Sequence, residues 1–493
     1  MGGKIMKLLL IEPESHEKAP NLGLLYVSAA LAQAGKDALL LDLNNGPRPR
    51  DPVERVVRLI DDHKVNLLGV SICDVNLEWC LDLIRRIKAE RAVKVLAGGP
   101  HVNSLGKTIL RDHPELDLAI SGECETTTLT CLDVMEQGGS LENIPGLIFR
   151  NGSVKEVPKA KLAPVDNLAL PDYGHLGIAE LPAYMLLTSR GCPYRCTFCC
   201  RNTGEVWRPR SLSSCMAELR RAKQRLGIQS FRIVDASFNI QEERVIEFCR
   251  LLGEEGIELP WMVAGIRADR LTEASVRAMK QAGCEMVAVG VESIDPKVFP
   301  GINKGESISQ ILLALELCRR YGLEVGCYMV HGLPGDSYQR SIKYARKLQE
   351  LEPDYVMYNH AIPFVGTELH SWVSRHGQFN PKFSWLNTRD FNSAAFWTDD
   401  FSHQQRLDSF RVIQTITHVI NFAGEDPGEL DQLLEEVRLY DPDRLEYHRS
   451  YLERRLKQKG KAKNRFKKIH KENQFSHLSG YTGCVELASG RMV

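Results

Sequence analysis

The sequence has no long apolar run. None approaches the roughly 20 residues that cross a bilayer, so a membrane-spanning chain is not expected. Net charge is also missing. Lys+Arg and Asp+Glu both number 63, so there is no overall electrostatic pull towards nucleic acid or membrane. No G-x-G-x-x-G follows the first strand-like run, and no G-x-x-x-x-G-K-[ST] occurs, which removes the main support for dinucleotide and P-loop nucleotide binding. There is no internal repeat and no low-complexity block. The 14 cysteines lack the spacing of a disulfide framework and scatter singly, except at one loop. The run from Met1 to Glu12 is too short in apolar residues for a signal peptide and reads as a first strand. These features predict a cytoplasmic chain with reduced thiols and, from its 493 residues, about three domains.

The exceptional loop is Gly191-Cys192-Pro193-Tyr194-Arg195-Cys196-Thr197-Phe198-Cys199-Cys200, which follows an apolar strand over residues 184–188. Its Cys192, Cys196 and Cys199 stand in the order C-x-x-x-C-x-x-C. Three thiolates drawn to one point need a soft cation. They suit an iron–sulfur cube with one open iron, and they are one ligand short of a closed zinc site.

Before that loop, residues 1–150 alternate strand and helix. Apolar strands are expected at residues 7–11, 38–42, 67–71, 93–97 and 116–120. Near-continuous apolar strands separated by helices predict a doubly wound parallel sheet, whose ligands sit beyond the carboxyl ends of the strands. Those ends carry Glu12, Ser71, Gly98-Gly99 and Gly122-Glu123. Residues 151–182 read as a linker, with a hairpin over 147–154 that has Asn151-Gly152 at its turn where the linker begins.

From 183 to 375 the alternation resumes, with strands at residues 184–188, 231–235, 261–265, 286–291, 324–330 and 355–360. Six strand–helix units predict a partial (β/α)6 barrel of the TIM type, with its chemistry at the carboxyl ends of the strands. The polar residues there are the three cysteines, Asp235, Ser237, Arg267, Glu292, Ser293, His331, Asn359 and His360. Residues 376–493 read as a mainly helical region with an aromatic segment at 385–401 and a basic run at 453–471. A solvated tail accounts for that run, and nucleic acid is not expected as a partner because aromatic residues between the charges are sparse.

Taken together, the chain resembles the radical S-adenosylmethionine enzymes that carry an N-terminal cobalamin-binding domain, over roughly residues 5–375. The resemblance rests on the cysteine loop with Phe198, on Gly290-Val291-Glu292-Ser293, on Gly332-Leu333-Pro334-Gly335 and on Pro363-Phe364-Val365-Gly366-Thr367. In the first half it rests on Pro20-Asn21-Leu22-Gly23-Leu24, Gly98-Gly99-Pro100-His101 and Gly122-Glu123-Cys124-Glu125. It implies a [4Fe–4S] cluster on Cys192, Cys196 and Cys199 whose open iron chelates S-adenosylmethionine. Phe198 would pack on the adenine, Glu292 and Ser293 would lie near the nucleoside or methionine moiety, and Arg267 could pair with the methionine carboxylate. Cobalamin contacts are expected from Glu12, Leu22, Gly23, Ser71, Gly98, Gly99, Gly122 and Glu123. Partners implied are a small-molecule substrate and an electron donor such as flavodoxin or ferredoxin.

Two departures from the family pattern stand out. The chain has no D-x-H-x-x-G, so no histidine ligand to cobalt from that motif is expected. Cys124 also stands where the family often has glycine. The leading functional expectation is methyl transfer to an unactivated carbon, or to phosphorus, of a small molecule. A cobalamin-dependent radical cyclase or rearrangement enzyme is the alternative. An RNA-modifying, methylthiotransferase-like enzyme is a further one; it would need Cys73, Cys80, Cys124 and Cys131 to hold a second cluster.

Overall fold

The structure is a computed structural model that describes residues 5–13, 20–36, 38–44, 51–171, 173, 183–201, 204–383, 393–422 and 427–459. Its first sheet is built from β1 (Leu8–Glu12), β2 (Ala38–Asp42), β3 (Leu67–Ser71), β4 (Lys94–Gly98), β5 (Leu118–Ile120), β6 (Leu147–Asn151) and β7 (Ser153–Glu156). The spatial order is β2-β1-β3-β4-β5-β6-β7. The first five pair in parallel, and β6 and β7 extend the sheet antiparallel. Alternation along β1 explains why the run is apolar throughout. Leu9 and Ile11 enter the core on one face, while Leu8 and Leu10 enter the core on the other. The order reverses between β1 and β3, which opens a crevice at their carboxyl ends. The hairpin belongs to this sheet. An expected boundary at 150 leaves β7 in the linker, but the Asn151-Gly152 turn, with Gly152 at φ +69°, folds β7 back onto β6.

The second sheet comprises β8 (Tyr184–Leu186), β11 (Phe231–Ile233), β12 (Trp261–Ile266), β13 (Cys284–Glu292), β14 (Glu324–His331) and β15 (Tyr355–His360). Between β8 and β11 lies a short ladder of β9 (Ser189–Arg190) and β10 (Arg208–Pro209). The six long-range neighbours run in chain order, all parallel, as the partial barrel requires. β8 is shorter than its apolar run. Asp235 takes the Thr188 N–H at 2.6 Å and the Thr188 hydroxyl at 2.5 Å, which draws Thr188 out of the ladder.

The open edge at β15 is covered by the helix His403–Asn421. There Asn421 imitates a neighbouring strand. It accepts from Val356 N at 2.8 Å and donates to Val356 O at 2.7 Å, so the edge offers no free pairing groups at that point. Two further helices, Pro427–Tyr440 and Leu445–Lys459, complete the described C-terminal region. The basic run is described only as far as Lys459. Within it, Arg455 donates to the carbonyls of Asp354 at 3.1 Å and Ile420 at 3.2 Å, a structural use of its charge. No described helix is long and apolar enough to cross a membrane.

Candidate active site and cofactor cradles

The carboxyl ends of the second sheet open into a cavity with about 1430 Å³ of empty space. Cys192, Cys196, Cys199 and Phe198 form part of its wall, with Arg267 and Glu292 also on the lining. The structure therefore brings these six residues to one wall.

The cysteine loop is fixed from both ends. Ser189 donates to Asp235 at 2.6 Å, and Cys192 N donates to Gly204 O at 3.0 Å. Burial pushes the Asp235 carboxyl up from its ordinary range, while Ser189 and Thr188 oppose the shift. Gly191 has φ +84°, and a Cβ there would stand 2.0 Å from Val206 O. Only glycine fits. Gly191→Ala is expected to displace the loop and lower the iron and sulfide bound per chain several-fold after anaerobic reconstitution. The forced backbone alone costs about 1–3 kcal/mol.

Burial pushes the Cys196 thiol up to about 12; Glu292, Cys199 and Cys192 add to the shift, and Lys304 opposes it. Burial likewise raises Cys199. The mutual influence of the three sulfurs means they share one electrostatic neighbourhood. They need a cationic centre to become thiolates, and the irons of a cluster supply one. Among the described residues no three His, Cys, Asp or Glu side chains close on a point that would hold a single metal ion. The three cysteines instead share the wall of a wide cavity. Cys200 lines it too.

Arg267 follows β12. Its Nε lies 2.9 Å from Asp269, its Nη1 donates to Lys304 O at 3.0 Å, and Tyr194 stacks 3.4 Å beneath the guanidinium. Its buried Nη2 has no hydrogen-bond partner among the described residues. A buried donor left open in a cavity wall suits a ligand acceptor, and a guanidinium suits a carboxylate. Glu292 has φ +61°, a strained value for a non-glycine residue, and the register with β14 shifts between Gly290 and Glu292. The bulge re-aims the side chain into the cavity. Lys304 Nζ meets it at 3.3 Å. Lys304 and Tyr194 were not legible as site residues, because each reaches the cavity from a loop. Ser293 does not line the cavity. Its hydroxyl caps its own turn, accepting from Asp295 N at 3.1 Å.

A second cavity of about 930 Å³ lies at the carboxyl ends of the first sheet. Gly23, Ser71, Gly98, Gly99, Gly122 and Glu123 line it. Its wall is mostly small residues. At Gly99, with φ +103°, a Cβ would stand 2.6 Å from Ile72 O. Glycine there lets the turn after β4 pack against the backbone that follows β3. Glu12 and Leu22 are not on the wall. Glu12 is buried, with its pKa raised chiefly by that burial, and Leu22 packs into the barrel's apolar core beside Leu25 and Tyr26. Cys124 does no harm where glycine is frequent, because its φ of −94° and ψ of −15° are ordinary for any residue. Cys80 and Cys131 lie in separate apolar cores on opposite faces of the sheet, so they cannot share a cluster.

The two cavities are joined by Arg190, which lines the second and immediately precedes the loop of the first. Its guanidinium lies 2.6 Å from Glu125, 3.3 Å from Glu123 and 4.7 Å from the centre of the Tyr26 ring.

A cysteine-lined partial barrel beside a glycine-lined doubly wound sheet defines a two-cofactor enzyme class. Residues 186–348 match the Radical SAM superfamily, and residues 13–132 match the B12 binding domain. The chain belongs to the radical S-adenosylmethionine enzymes with a B12-binding domain, whose cofactors are a [4Fe–4S] cluster, S-adenosylmethionine and cobalamin. It is 28% identical over 386 residues to an uncharacterized methyltransferase of Pyrococcus horikoshii, covering 74% of this chain and 83% of that one. It is 24% identical over 397 residues to the anaerobic magnesium-protoporphyrin IX monomethyl ester cyclase of Synechocystis, covering 76% and 77%. In fold it is similar to the cobalamin-dependent S-adenosylmethionine radical enzyme OxsB, with a TM-score of 0.68 at 14% identity, covering 97% of this chain and 84% of that one.

Proposed function

We propose that this enzyme transfers a methyl group to an unactivated carbon, or to phosphorus, of a small molecule. One observation carries the reading: a single cavity wall brings together three cysteines, the strained Glu292 and the open Nη2 of Arg267, beside a separate glycine-lined cradle. The relative in Pyrococcus, named a methyltransferase, supports transfer over rearrangement. In this reading Cys192, Cys196 and Cys199 hold the cluster. Arg267 Nη2 takes the methionine carboxylate, Glu292 and Lys304 face the nucleoside or amino end, and Phe198 packs on the adenine. Gly23, Ser71, Gly98, Gly99, Gly122 and Glu123 hold cobalamin, in a unit that spans residues 1–150 and the hairpin through Glu156. When bound, these groups supply a hydrogen-abstracting carbon radical and a methyl carrier. The chain's own work is to orient them and to keep water from the cavity. An external one-electron donor such as flavodoxin or ferredoxin is the partner, and the cytoplasm, which keeps thiols reduced, is the compartment.

With S-adenosylmethionine carrying a trideuterated methyl group, the product is expected to gain the label. S-adenosylhomocysteine and 5′-deoxyadenosine should form in equal amounts, as mass spectrometry can read. A cyclase or rearrangement enzyme, the kind of activity named in the Synechocystis relative, would release 5′-deoxyadenosine with no label in the product.

A further inference from the structure

Behind the part of the cavity wall formed by Arg267 and Lys304 lies a carboxyl that the proposed function does not use. Glu306 is not on the wall, and its side chain is fully buried, at 0% exposure. Its Oε1 is 3.4 Å from Arg267 Nε, and its Oε2 is 3.7 Å from Lys304 Nζ. Neither oxygen accepts a hydrogen bond among the described residues. The reasons are local. Arg267 Nε has one hydrogen, and Asp269 Oδ1 takes it at 2.9 Å. Lys304 Nζ is drawn to Glu292 at 3.3 Å and to the Gly290 carbonyl. Glu306 also precedes the helix Ile308–Arg320, but two donors at that helix end are spent within its own cap. Ser307 N donates to Gln310 Oε1 at 2.8 Å, and Gln310 N donates to Ser307 Oγ at 3.2 Å.

A buried carboxylate with no donor is costly, and a protonated carboxyl is much less so. The charges point the same way. Arg267 and Lys304 are buried cations, and Glu292, Asp269 and Glu306 are three acids around them. Arg270, 3.7 Å from Asp269, is 52% exposed, so water screens it. Cys196 stands beyond Lys304 and Glu292 and no longer titrates once it holds iron. With all three acids ionised, the buried group has one negative charge too many. Burial and the Asp269 carboxyl push Glu306 up to about 7, against the pull of Lys304 and Arg267. The Asp269 carboxylate is the acceptor for the Glu306 proton. A ligand carboxylate on Arg267 adds negative charge beside Glu306 and so favours its protonated form further.

We infer that Glu306 is a positioning residue that holds a proton while the carboxylate of S-adenosylmethionine lies on Arg267, so that this carboxylate binds with uptake of a proton. Ionised, Glu306 competes with the ligand for Arg267 and Lys304. Protonated, it turns to Asp269 and leaves both cations to the cavity. The inference rests on the assignment of Arg267 to the methionine carboxylate.

The test is calorimetry on reconstituted holoprotein. The probe is the butyrate thioether of 5′-thioadenosine, which keeps a nucleoside and a carboxylate and has no amino group to titrate. Its affinity should be level below about pH 7 and then fall by up to about tenfold per pH unit, the slope of one proton. Above that pH, buffers of different ionisation enthalpy should report proton uptake on binding. Glu306→Gln is permanently neutral. It should match the wild type in acid, bind more tightly than the wild type in alkali and take up no proton. Asp269→Asn removes a group that raises Glu306, so its fall in affinity should begin at lower pH. A wild-type affinity that is level throughout with no proton uptake overturns the inference alone. So does a Glu306→Gln affinity offset from the wild type by one factor at every pH, which a merely structural ion pair would give. An Arg267→Gln chain that binds the probe as the wild type does overturns the assignment of Arg267, and the inference with it.

Discussion

Cys196→Ala is expected to abolish reductive cleavage of S-adenosylmethionine while leaving the fold intact. Cys196 is the middle residue of the three, and its thiol feels Cys192, Cys199, Glu292 and Lys304 together. Removing it takes away a cluster ligand outright. Loss of an outer-shell partner typically costs a metal site 10–100-fold in affinity or activity, so loss of a ligand should exceed about 100-fold. Iron per chain should collapse, and the broad visible absorbance of the reconstituted protein should vanish. The control is Cys200→Ala. Cys200 lines the same cavity and follows Cys199 directly. It lies outside the C-x-x-x-C-x-x-C spacing, so its loss should change iron content by less than about twofold, as for a small apolar residue. Equal losses in the two variants would mean that the loop binds metal by some other set of sulfurs.

Much of this arrangement could be read from the chain. The parallel strands are apolar on both faces, so each run declared itself without help from its neighbours. Strand ends in such folds point to one edge, and Arg267, Glu292, Asn359 and His360 were found on that edge for this reason. The edge alone does not say which way a side chain turns. Glu12 ends β1 and Ser293 follows β13, yet Glu12 folds into the protein and Ser293 caps its own turn. Leu22 looked like part of a cofactor signature, but its side chain joins the two halves of the molecule instead. Lys304 and Tyr194 are held at the cavity by long-range contacts: Tyr194 stacks on the Arg267 guanidinium, the Lys304 carbonyl accepts from Arg267, and the Lys304 ammonium meets Glu292 at 3.3 Å. No local spacing encodes that. Of the aromatic segment at 385–401, Trp385 and Phe391 lie outside the described residues. Phe396 and Phe401 are buried, and they sandwich Arg406 at 4.2 and 4.6 Å.

Arg190 was visible in the sequence only as a basic residue beside the cysteine loop, and removing it should have the second largest effect. Arg190→Met keeps most of the side-chain volume but leaves Glu125 buried without that cation. The Arg190 and Glu125 side chains are 8% and 7% exposed, so water cannot replace the lost partner. Breaking a buried ion pair from one side costs about 3–5 kcal/mol, far more than the pair contributes against an apolar substitute. Arg208 also binds Glu123 and can compensate there, its other bond going to the Ala163 carbonyl at 2.7 Å. The damage should therefore centre on the seam between the two halves. Hydrogen exchange should rise at residues 121–125 and 188–192 together, and cobalamin binding should weaken because Arg190 is part of that cavity's wall. Pairing Arg190→Met with Glu125→Gln removes the stranded charge and should restore much of the protection, a coupling that single variants cannot show. If Arg190→Met exchanges like the wild type at both segments, the seam is held by Leu22, Leu25 and Tyr26 packing against the barrel core, and the charges are incidental to it.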